Sequence, residues 1–167
     1  MVSALTRSAV SIYLFSCAIK QSKTNYIMDE LLDDIIDCWE MLAEKTSIWG
    51  EDLSEDLLDL TYLIQVEDLL NRPGKAALGV TQVFNNDLFG IIFDFHLNAL
   101  NDKNFYSTII HEMCHCAVFL TTGSLQKDDN GGHGKNWQQF ADKWNATGKF
   151  NIFSDGDADT LEKLFSE

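Results

Sequence analysis

The segment Ile109-Ile110-His111-Glu112-Met113-Cys114-His115-Cys116 carries the pattern H-E-x-x-H inside an apolar run that continues through Ala117, Val118, Phe119 and Leu120. A helix puts residues four apart on one face, so His111 and His115 can offer two imidazoles to one metal ion. Glu112 lies one step round from that face. There it can reach a water on the metal without being a ligand. Two ligands and a general base on one rigid element are what a zinc hydrolase requires. The pentapeptide recurs by chance in many chains, so its surroundings have to decide.

The third ligand is tightly constrained, because the chain has four histidines, His96, His111, His115 and His133. Gly131-Gly132-His133-Gly134 places a histidine in a loop just ahead of a helix, which suits a ligand that folds back onto an existing pair. Three nitrogen ligands leave a fourth position for water, the catalytic rather than the structural pattern. On this reading zinc acidifies the water and Glu112 takes its proton as it attacks a carbonyl. Other zinc peptidase patterns fit worse. The metzincin spacing needs Gly at 118 and His at 121, where Val118 and Thr121 stand. A downstream glutamate ligand is ruled out, since none lies between Glu112 and Glu162. His96 is expected to be a strand-face or a hydrogen-bonded histidine, and Cys114 and Cys116 small buried hydrophobes. Tyr106 could donate to a transition state, but its spacing does not demand it.

At 167 residues the chain is expected to form one main domain. Its 26 acidic residues against 12 basic give a net charge of -14, which disfavours nucleic acid and anionic membrane surfaces as direct partners. The four cysteines have no CxxC spacing, which suggests a reducing, intracellular compartment and no second zinc module. Residues 1–27 form an N-terminal extension whose run from Ala9 to Ile19 is too short to span a membrane. It reads as an export-signal core, as a first helix, or as an upstream extension of the reading frame ahead of Met28. The domain proper is assigned to 28–167.

From Met28 to about Lys45, Leu31, Leu32, Ile35, Ile36, Trp39 and Leu42 form a 3.6-residue stripe opposite Asp29, Glu30, Asp33, Asp34, Asp37 and Glu40. Ser54-Glu55-Asp56 opens a second helix. The stretch Leu57 to Leu70 reads either as one helix or as a short helix followed by a strand over Thr61–Val66, and the second is favoured. Two β-prone runs, Ala77–Phe84 and Ile91–Leu97, flank turn residues and predict an antiparallel hairpin. Asn101-Asp102 caps the helix that carries H-E-x-x-H to about Thr121. Trp137, Phe140, Ala141 and Trp144 share one face of a helix from Lys135 to Ala146, and the tail from Asp155 to Phe165 is short and acidic. The class is therefore α+β, a small antiparallel sheet packed on helices.

His111-Glu112-x-x-His115, a loop, and then His133-Gly134-Lys135-Asn136-Trp137 together resemble the SprT-like family. Gly74 to Thr81 also resembles the strand that precedes the active helix in that family. The resemblance spans roughly Thr61 to Ile152. It implies a minimal zincin-like metallopeptidase with His111, His115 and His133 on zinc, Glu112 as base, and Trp137 packing the third-ligand helix. Members similar to Spartan-type proteins act on proteins crosslinked to DNA, which makes protein the expected substrate and crosslink repair the expected setting. The chain departs from many relatives in lacking a C-terminal zinc ribbon and in being strongly acidic. Lys135, Lys143 and Lys149 could supply only a local basic patch. A zinc-stabilised interaction module without proteolytic activity is the alternative, and the acidic surface favours it.

Overall fold

The computed structural model describes residues 23–71, 77–84, 88–125 and 132–153. The N-terminal run from Ala9 to Ile19 and the acidic tail from Asp155 lie outside the described residues. Four helices, α1 (Lys23–Ala43), α2 (Glu51–Leu58), α3 (Asp102–Thr122) and α4 (Lys135–Asn145), accompany three strands, β1 (Thr61–Glu67), β2 (Gly79–Phe84) and β3 (Leu88–Asp94). Among the described residues no helix is long and apolar enough to cross a membrane.

The apolar stripe of α1 is what buries it. Leu31, Ile35, Trp39 and Leu42 enter the core, while the six acidic residues between them stay exposed. The helix begins at Lys23, upstream of Met28, and ends at Ala43. A short 3-10 turn, Thr46–Trp49, then reverses the chain. Its Trp49 donates from Nε1 to the Phe140 carbonyl at 3.0 Å and packs edge-on against Phe140 and Trp144. The region between Leu57 and Leu70 resolves as a short helix followed by a strand. Ile64 on β1 is buried and its strand neighbours are half-buried.

β3 is the central strand, in the order β1-β3-β2. Phe89, Ile91 and Phe93 are almost fully buried along it. β2 pairs with β3 antiparallel, the hairpin read from the two β-prone runs. β1 pairs with β3 in parallel, Ile64 opposite Ile91, so the sheet is mixed and the expectation of an all-antiparallel sheet is corrected. The reason is topological. A hairpin returns β3 in the direction of β1, and β1 takes the free side of β3 rather than the outer edge of β2. The connection from β1 to β2 must then cross the end of β3, and Asp94 stands at that end. Its Oδ2 accepts from the backbone N–H groups of Leu69 (2.6 Å) and Leu70 (2.8 Å), and its own N–H donates to Leu78 O at 2.9 Å. One residue thus holds both sides, its carboxyl group satisfying the Leu69 and Leu70 donors that would otherwise be orphaned and its backbone N–H meeting Leu78.

α3 starts where Asn101 Oδ1 accepts from Asn104 N (2.9 Å), the predicted cap. It packs against β2, α1, α2 and α4, so nearly every side of its central turns is covered. That explains why Ile109, Ile110, Met113, Cys114, Cys116 and Ala117 are all completely buried.

Candidate metal centre

α3 carries His111 and His115 one turn apart, with their Nε2 atoms 3.3 Å from each other. His133 arrives from the turn before α4. Its Nε2 lies 3.1 Å from that of His115 and 2.9 Å from that of His111. Three nitrogens of one kind, drawn from two separated segments, therefore converge on a common point. Tetrahedral zinc with Zn–N bonds of about 2.0–2.1 Å would hold its nitrogens about 3.3 Å apart. The observed spacings are close to that, so the three histidines form a group able to hold a metal ion.

The backbone ahead of His133 depends on glycine. Gly132 has φ +89°, and a Cβ there would press on the Leu125 carbonyl and on the His115 ring at 3.3 Å. Trp137, fully buried in the first turn of α4, lies beneath all three imidazoles, with ring centroids 4.7 Å from His111, 5.9 Å from His115 and 4.8 Å from His133. Its Nε1 donates to the His111 carbonyl at 3.4 Å. Trp137 therefore fixes α4 against α3 at the level of the histidines as well as filling core.

Burial pushes the His111 and His115 imidazoles well below the usual value, His115 to about 3, and the neighbouring histidines add to the effect. At neutral pH these rings are uncharged and keep lone pairs for a metal. On the other ring nitrogen, His111 Nδ1 lies 2.8 Å from the Phe153 carbonyl.

Glu112 follows His111 on α3 and is 2% exposed. Burial raises its carboxyl to about 7, while a hydrogen bond from Thr81 Oγ1 to Oε2 at 2.6 Å pulls the other way. Thr81 sits on β2, and Gly79 lies two residues earlier on the same strand. A Cβ at Gly79 would collide with the Glu112 carboxyl group, so the strand can approach this closely only with glycine there. Spacing along the chain does not identify Thr81 and Gly79 as site residues. Their only trace in the sequence is the glycine-containing strand ahead of the helix.

The remaining candidates fall elsewhere. His96 Nδ1 lies 2.7 Å from Asp94 Oδ1, the hydrogen-bonded histidine expected. Cys114 and Cys116 are buried, and their thiols are pushed well above the usual value, first by desolvation, so they are protonated small hydrophobes. Tyr106 is hydrogen-bonded to Cys38 of α1 and packs on Phe150. Among the described residues Cys38, Cys114 and Cys116 are free thiols.

Residues 81–155 match the model of the SprT-like family. No curated protein matches the chain. The matched segment opens at Thr81, holds the three converging histidines and Glu112, and closes just past Phe153, so this part of the chain is similar to SprT-like proteins.

Proposed function

We propose that this protein is a zinc-dependent endopeptidase that hydrolyses peptide bonds. The observation that carries the reading is the convergence of three imidazole Nε2 atoms beside a buried glutamate whose carboxyl group is poised near neutral pH. His111, His115 and His133 would hold the ion. Zinc bound there supplies a Lewis acid and lowers the pKa of its water. Glu112 is the proton carrier. With a carboxyl near 7 it can take a proton and give it back at working pH, which is what general acid–base catalysis needs. Thr81 fixes one oxygen of that carboxyl group, and Gly79 leaves room for it.

Protein is the substrate class. The net charge of -14 places recognition on the protein part of any DNA-linked substrate rather than on the phosphates. Cleavage of an unfolded protein by the purified chain, with and without chelator, tests the reading. Glu112→Gln should lose about 10²–10⁴-fold in rate while still binding zinc. Undetectable cleavage by both wild type and variant, with zinc bound in both, would leave the interaction-module reading instead.

A further inference from the structure

The chain that leaves α4 turns back and runs along α3. Asn145, the last residue of α4, grips it at two points. Its Nδ2 donates to the Ile152 carbonyl (3.1 Å), and its Oδ1 accepts from Ile152 N–H (2.7 Å). Asn151 N–H donates to Ser107 Oγ at 3.0 Å, and Ser107 lies one turn ahead of His111 on the same face of α3. Phe150 packs against Trp144 and Tyr106, and Ile152 is buried. Residues 150–152 are thus held by side chains of both helices. The next group delivered is the Phe153 carbonyl, 2.8 Å from His111 Nδ1. Phe153 is an exposed residue, and its backbone oxygen is what it brings to His111.

We infer that segment 150–153 is a strap that sets the His111 imidazole for metal binding, with Asn145 and Ser107 as its positioning residues. A carbonyl can only accept, so it requires the proton on Nδ1 and leaves the Nε2 lone pair facing His115 and His133. It also fixes the ring plane and makes the ligand more basic, the usual consequence of a hydrogen bond to the far nitrogen of a ligating histidine. The Asn145 amide matches the N–H and C=O of Ile152 as a neighbouring strand would, so the last residue of α4 sets the height at which the carbonyl meets α3. The inference rests on the metal reading above, and its test separates the two.

Zinc affinity of the full chain is measured by chelator competition. Solvent exchange of the three imidazole N–H protons is followed by NMR in the zinc-loaded protein. In wild type the His111 Nδ1 proton should exchange slowly. Asn145→Ala should weaken zinc binding about 10-fold or more and speed that exchange, with amide protection along β3 unchanged. Ser107→Ala should act in the same direction and less strongly, since it removes one hydrogen bond and leaves both of those from Asn145. Zinc affinity within two-fold of wild type in a folded Asn145→Ala variant, with His111 still protected, would overturn the strap alone. Should that variant fail to fold, the wild-type spectrum decides, because a His111 proton exchanging as fast as an exposed imidazole also overturns it. A wild-type chain that binds no zinc sinks the metal reading and the strap together.

Discussion

Two clusters among the described residues have metal-ligand composition, and they do opposite things. His111, His115 and His133 form one; Asp68, Asp94 and His96 form the other. In each, three potential ligand atoms lie within reach of a single point. In the first cluster the Nε2 atoms face one another at 2.9–3.3 Å, and the hydrogen bond of His111 is made by its far nitrogen. In the second, the ligand atoms are already engaged. Asp94 accepts from Leu69, Leu70 and His96 backbone N–H groups and meets His96 Nδ1, while Asp68 is bonded to Asn71. A metal there would have to displace four contacts of a fully buried carboxyl group. The difference teaches that convergence of residue types is not sufficient. What matters is whether the lone pairs are still available after the backbone has been satisfied.

The contrast can be broken most sharply by removing one member of each cluster. His133→Ala should abolish stoichiometric zinc binding, weakening it by at least about 100-fold, because two nitrogens cannot hold the ion as three do. His96→Ala should leave zinc content unchanged. Metal analysis of both purified variants checks this, and zinc loss in His96→Ala would place the ion in the wrong cluster.

The next largest effect falls on stability. Asp94→Ala leaves the N–H groups of Leu69, Leu70 and His96 without their acceptor and frees the segment that crosses β3. The cost should be about 3–5 kcal/mol, read from urea unfolding, with zinc still bound by the fraction that folds. A loss under about 1 kcal/mol would mean that water replaces the carboxyl group easily and that Asp94 is not a structural knot.

A smaller effect separates Glu112 from His115 by pH. Glu112 holds its proton more tightly in the folded state, at about 7 against 4.5. Its contribution to the stability of metal-free protein is therefore complete below pH 4.5 and is lost as pH rises through 7. His115 acts in the opposite sense, its contribution present above 6.5 and lost as pH falls toward 3. Glu112→Gln removes only the first dependence. The metal-free variant should exceed wild type by about 3–4 kcal/mol above pH 7, with the gap closing toward pH 4.5, since a tenfold change in proton affinity is worth about 1.4 kcal/mol. A gap independent of pH would show that Glu112 is not desolvated.

Much of this is legible in the sequence because it rests on local periodicity. The stripe from Leu31 to Leu42, the Asn101 cap and the Trp137–Trp144 face each follow from spacing within one helix, and each lies where that spacing puts it. His133 is legible for another reason, that a chain with four histidines offers few choices. The rest depends on long-range partners. β1 could join the sheet on either side of the hairpin, and nothing within Thr61–Glu67 records that it pairs in parallel with β3. Asp94 meets Leu69 from 25 residues away. Thr81 and Glu112 are brought together by the packing of β2 on α3, and the Phe153 carbonyl belongs to the backbone, which no residue type announces.

The central claim is that one metal ion is held by three imidazoles of this chain. X-ray absorption at the zinc edge of the loaded full-length protein tests it most directly. The account predicts one ion per chain with three histidine nitrogens and one oxygen donor at about 2.0–2.1 Å, and loss of an imidazole from that shell in His133→Ala. A shell that contains sulfur, or one that is the same with and without His133, would contradict it.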